Sequence, residues 1–76
     1  MNIHINTLKH LVYQQANRDR NLYPCLRMGQ ALFNSLYQFT PEVADKIRAT
    51  IDDPFYDDRK IPNFWKKVET LLTEII

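Results

Sequence analysis

Seventy-six residues, 45% of them hydrophobic and 12% aromatic, make one domain well removed from disordered chains. A net charge of +1 and a single cysteine argue against a general phosphate-backbone binder and exclude an intrachain disulfide scaffold. A chain this short buries only about 60 to 65% of its unfolded surface, so its core must be efficient.

Met1 to Ile5 alternates apolar and polar residues, which predicts a short extended arm over 1–5. From Asn6 the period changes. Leu8, Leu11, Val12 and Ala16 share one side and Thr7, His10, Gln14 and Asn17 the other, predicting a helix over about 6–18. Asn17 to Pro24 is polar and turn-forming and reads as the first loop, with Pro24 in the first turn of a second helix over 24–39.

On that second helix Cys25, Met28, Gly29, Leu32, Phe33, Leu36 and Phe39 fall on one broad face. The opposite face carries Arg27, Gln30, Asn34 and Gln38. It is short of charge and rich in amides, which suit geometric hydrogen bonding to another amide, a backbone or a base edge. Gly29, the sole glycine, costs roughly 1 kcal/mol against alanine in a helix, and close approach of a second helix backbone is the expected compensation.

The residue before Pro41 ends this helix, and Thr40-Pro41-Glu42 starts a third over 41–51, with Thr40 as N-cap. Its apolar arc is Val43, Ala44, Ile47 and Ile51; Glu42 and Lys46 form an i, i+4 pair. Asp52 to Lys60 is a loop with a turn at Asp53-Pro54, in which Phe55 and Tyr56 are expected to plug onto the core. Pro62 opens the last helix, 62–75, whose apolar side is Phe64, Trp65, Val68, Leu71, Leu72, Ile75 and Ile76. Four short helices with short connections predict a compact all-α bundle.

Arg27-x-Gly29-Gln30-Ala31-Leu32-Phe33-Asn34-x-Leu36-Tyr37, Pro41-Glu42-x-Ala44, Ile47-Arg48-x-Thr50 and Asp53-Pro54-Phe55-Tyr56 occur in that order. The pattern, over roughly residues 26–64, resembles small uncharacterised proteins of bacteriophages and prophages that carry a Gly-Gln-x-Leu-Phe-Asn helix followed by an Asp-Pro-Phe loop. The resemblance implies a phage or mobile-element origin and a bacterial cytoplasm. It also implies a glycine after the Ile-Arg pair, where this chain has Ala49. It carries no mechanism, and raises an interaction role, such as inhibition of a host protein, above an enzymatic one by analogy alone.

Candidate metal ligands are His4, His10 and Cys25, or Asp52, Asp53, Asp57 and Asp58, but neither set has the spacing of a known metal motif. No metal or other cofactor is expected. A nucleophile would have to be Cys25 or Ser35. Cys25 falls on the apolar face, where a packed structural cysteine is expected, and His10 falls on the polar side of its own helix.

Nucleic acid remains the alternative partner, read by Arg27, Gln30 and Asn34 with Arg18 and Arg20 at the flank. The charges oppose it. Residues 1–39 hold four basic side chains against Asp19 alone, net +3, and residues 40–76 hold six against eight acidic ones, net −2. No secretory leader and no run of about 18 apolar residues is apparent, which points to the cytoplasm and away from the membrane.

The leading expectation is a non-enzymatic protein-interaction module with two candidate surfaces. One is the stripe Arg27, Gln30, Asn34 and Gln38 bordered by Tyr37; the other is Phe55, Tyr56 and Trp65, where Trp65 at the edge of its arc and Tyr56 in the loop are expected as partly exposed covers. So many apolar positions in so short a chain also suggest a homodimer or a tight heterocomplex.

Overall fold

Four amphipathic segments fold into four helices in a computed structural model that describes residues 4–75: α1 (Ile5–Leu22), α2 (Met28–Phe39), α3 (Pro41–Ile47) and α4 (Ile61–Ile75). A 3-10 turn, Asp58–Lys60, leads into α4. The architecture is the all-α bundle expected from the periodicity. Its radius of gyration, 11.5 Å, equals that of a fully compact chain of this length, about 11 Å.

The core is assembled from one row of each helix. Leu8, Val12 and Ala16 come from α1; Ala31, Leu32, Phe33 and Leu36 from α2; Val43, Ala44 and Ile47 from α3; and Phe64, Trp65, Val68, Leu71 and Leu72 from α4. Spacings of three and four recur along each helix, the condition for burying one side, and α2 buries a wider arc that also takes in Gly29 and Ser35.

Helix boundaries depart from expectation in four places. The arm predicted over 1–5 lies mostly outside the described residues, and its last two belong to α1: His4 is the N-cap, its Nδ1 accepting from the Asn6 amide at 3.1 Å, and Ile5 is already helical. At its other end α1 continues four residues past Arg18, because Asn17 to Leu22 contains no glycine or proline and the Gln15 amide donates to Asp19 one turn on at 3.0 Å. It stops at Tyr23, the residue before Pro24, where the α region is disfavoured. Pro24 therefore terminates α1; it does not open α2, which begins at Met28.

The third departure is at Thr40. It caps both neighbours through its backbone, with its own N–H donating to the Leu36 carbonyl, but its buried side chain makes no capping bond to α3. The fourth is at the end of α3, which stops at Ile47 rather than 51. Arg48 (φ −50°, ψ 130°) and Ala49 (φ 61°) form a type II turn closed by Thr50 N–H to the Ile47 carbonyl at 3.0 Å. Ile51 is thereby expelled from the arc and left 82% exposed.

Ala49 occupies the position of that turn which favours glycine, the residue the resemblance implied there. The left-handed backbone costs an alanine about 1 to 2 kcal/mol. Ala49→Gly is expected to stabilise the protein by about 0.5 to 1 kcal/mol after the greater freedom of the unfolded glycine chain is deducted, measured as a raised urea midpoint at unchanged m-value.

Candidate functional site

The polar N-terminal end of α2 faces the 53–60 loop, and the two sequence motifs that stood out are packed against each other there. Arg27, the N-cap of α2, makes no capping bond with its own side chain. Asp58 takes over that duty from 29 residues away: its Oδ1 accepts from the Gly29 N–H at 2.8 Å. It also places a negative charge at a helix N-terminus whose first turn has no acid of its own. Asp58→Ala should cost about 1 to 2 kcal/mol by equilibrium unfolding, the value of a helix cap, and Asp58→Asn less because the amide oxygen can still accept.

Gly29 does permit close approach, as expected, but the neighbour is not a helix. The Pro54 carbonyl and the Asp58 carboxylate occupy the space a side chain would need. Arg27 is turned the same way, with Nη2 donating to the Phe55 carbonyl. It ties the loop to α2 and is not a free member of the stripe.

The aspartates have similar duties. Asp53 accepts the Ala49 N–H at 2.7 Å on one oxygen and the Phe55 N–H at 2.9 Å on the other. Asp57 accepts the Arg59 N–H and pairs with the Arg59 guanidinium, both at 3.0 Å. These hydrogen bonds from Arg59 hold the Asp57 carboxyl below the usual carboxylate range. Arg59 is solvent-exposed and Asp57 half-buried, so the pair is screened from the Arg59 side and fixes local geometry more than it adds stability. Among the described residues, no cluster of three or more His, Cys, Asp or Glu side chains is placed to hold a metal ion.

Above this brace lies a cleft of about 470 Å³ lined by Phe33, Asn34, Arg48, Ala49, Phe55, Tyr56 and Lys60 among others. Half-buried Phe55 meets Phe33 edge-on at 6.1 Å between ring centroids and Tyr56 at 4.8 Å. Phe55 thus plugs onto the core as expected. Tyr56 does not, and stands 83% exposed. The Arg48 guanidinium lies 5.1 Å from the Tyr37 ring and 5.8 Å from Phe33, with Asp45 at 3.4 Å. At the C-terminal end of α3 this i, i+3 ion pair with the C-cap Arg48 forms, in place of the expected Glu42–Lys46.

Trp65 is not part of that cleft. It is 6% exposed, stacked on Tyr13 at 5.6 Å, with its indole N–H donating to the Tyr13 hydroxyl at 3.2 Å and Lys9 above its ring. The expected cover is a core residue, because Tyr13 from α1 reaches over the edge of the α4 arc. The surface predicted from Phe55, Tyr56 and Trp65 thereby reduces to Phe55 and Tyr56, joined by Arg48 and Tyr37. Arg48 carries no signal for this role in the sequence, which gives no sign that it crosses to α2.

Gln30, Asn34 and Gln38 line a second groove, about 600 Å³, with Asp19, Tyr23, Cys25 and Leu26. Asn34 borders both clefts. Cys25 lies outside α2 and is exposed, against the expectation of a packed cysteine, because the late start of α2 leaves it in the 23–27 connection. His10 precedes Asp19 by nine residues on α1, about 13 Å along the axis, so it is not poised beside Cys25. Ser35 is sealed in the core, its Oγ without a partner. Phe39 is exposed and Met28 half-buried, while Ala31 and Ser35 are buried, so the buried face of α2 is shifted toward Ala31 and is broader than the expected arc.

No family model, curated protein or solved structure matches the chain. No described helix is long and apolar enough to cross a membrane.

Proposed function

We propose that this chain is a small non-enzymatic protein-interaction module that captures a partner protein at the Phe33–Tyr56 cleft. The observation that carries the reading is the exposed aromatic and arginine platform. Tyr56 projects into solvent from a ring stack rooted in the core through Phe55 and Phe33, and Arg48, held over Phe33 and Tyr37, lines the same cleft. Tyr and Arg on a rigid base are the side chains that anchor interfaces, because little freedom is lost when they are covered.

A binding role is further supported by the cost of the platform. The loop beneath it spends Asp53, Asp57 and Asp58 on holding its own shape and keeps Ala49 in a strained backbone. A non-enzymatic role is supported by the burial of Ser35 and the separation of Cys25 from His10. The reading that this is a phage or prophage accessory protein, acting on a host or phage protein in a bacterial cytoplasm, rests on the sequence resemblance.

The nucleic-acid alternative draws less support, because Arg27 is committed to the Phe55 carbonyl and the Arg20 Nε to the Leu26 carbonyl at 3.2 Å. The test is a photo-crosslinking side chain placed at position 56 and, as control, at exposed Thr70 on α4, in cells of a bacterial host. A discrete protein adduct from 56, absent from 70 and lost with Arg48→Ala, is the expected result. No adduct from 56, or the same adducts from both positions, would refute it.

A further inference from the structure

We infer that the Gln30–Asn34–Gln38 row of α2 is the seam of a symmetric homodimer, two copies meeting antiparallel about an axis through Asn34. The three amides stand at i, i+4 and i+8, so they form one row about 12 Å long on the helix surface. The row reads the same in both directions. Turned by a two-fold axis through its centre, it sets Gln30 of each copy against Gln38 of the other and Asn34 against Asn34, and a primary amide both donates and accepts.

The surroundings select a copy of the chain over a charged partner. Asp19 is the one charged side chain lining this groove, and the Gln15 amide already donates to it. Nearby hydrogen-bonding side chains are committed elsewhere, Arg20 to Leu26 and Arg27 to Phe55, and among the described residues the three amides have no partner. A stable dimer covers about 800 Å² per copy, roughly a sixth of the 4886 Å² the chain exposes. An amide row alone is too small for that. Leu22 and Tyr23, 73% and 64% exposed at the end of α1, supply apolar area, and Tyr23 lines the same groove.

The test uses the intact chain and two double variants at these surface positions. Gln30→Glu with Gln38→Glu puts like charges opposite each other across the seam; Gln30→Lys with Gln38→Glu puts opposite charges there. Residues eight apart on one helix are too distant to pair within a chain, so the two introduced charges can complement or oppose each other only between copies, and Asp19, common to both variants, does not distinguish them by pairing across the seam. Circular dichroism should show all three folded alike. Sedimentation from micromolar to submillimolar concentration should give twice the chain mass for the parent. Dissociation should be weakened by charge matching and promoted by charge clash: the double-Glu variant is expected to dissociate at least about tenfold more readily, and the Lys/Glu variant to recover dimerisation that falls with salt. A parent that stays monomeric throughout, or two double variants that associate alike, would overturn the seam.

Discussion

Gly29→Ala is expected to lower stability by about 3 kcal/mol or more, although alanine is the better helix former by about 1 kcal/mol. Gly29 has no positive φ, so backbone freedom is not what the site requires of it. Space is. A Cβ at this position would overlap the Pro54 carbonyl oxygen and lie 2.8 Å from Asp58 Oδ1 and 3.1 Å from the Pro54 carbonyl carbon. Two of these three atoms are backbone, and Pro54 is fully buried, so rotating a flexible side chain does not relieve the overlap.

The loop must then lift from α2, and three contacts depend on its seat: the Asp58 cap, the Arg27 bond to Phe55, and the Phe33–Phe55 ring contact. A domain of this size has about 4 to 11 kcal/mol in all, so most of its stability is at stake. Urea unfolding should show the loss, and hydrogen exchange should show the Asp57 and Lys60 amides, which donate to Pro54 and Asp57, losing protection first. A variant within about 1 kcal/mol of the parent would mean that the loop accommodates the methyl group and that the glycine has another purpose.

Gly29 also marks how far the residues could be read without coordinates. A lone glycine inside an apolar face signals close approach, and that signal was legible. The identity of the neighbour was not, because Pro54 and Asp58 lie 25 and 29 residues away and nothing local couples them. The same holds for the aspartates, which look like a solvated turn until Asp53 and Asp58 are seen accepting backbone N–H groups of α2 and of the 48–55 turn. The phase of each helix was legible because burial imposes it over three or four turns. Its ends were less so, because one residue decides them. Pro24 fits the start of α2 as well as the end of α1, and no glycine marks the left-handed position that stops α3. The candidate cleft depends on long-range contacts of this kind, so Phe55 and Tyr56 could be named beforehand as a surface, Tyr37 only as the border of the amide stripe, and Arg48 not at all.

Trp65→Ala should be the second large effect, about 3 to 5 kcal/mol, the cost of removing a buried aromatic ring and leaving a cavity. The ring does three things at once. It fills the α1–α4 contact against Tyr13, meets Phe64 edge-on at 4.9 Å, and donates its N–H to the Tyr13 hydroxyl, so alanine removes the packing and strands a phenol. Trp65→Phe isolates the polar part: it keeps most of the packing, loses the N–H donor, and should cost roughly 1 to 2 kcal/mol less than alanine does. This series separates a core tryptophan from an interface one. A core residue lowers the thermal midpoint of the isolated chain, by roughly 12 °C or more for Trp65→Ala. An interface residue would leave that midpoint in place and weaken capture alone, the pattern expected at Tyr56. Far-UV circular dichroism is the proper probe, since the substitution removes the sole tryptophan fluorophore. Unchanged melting in Trp65→Ala would return this residue to the surface and reopen a binding face on α4.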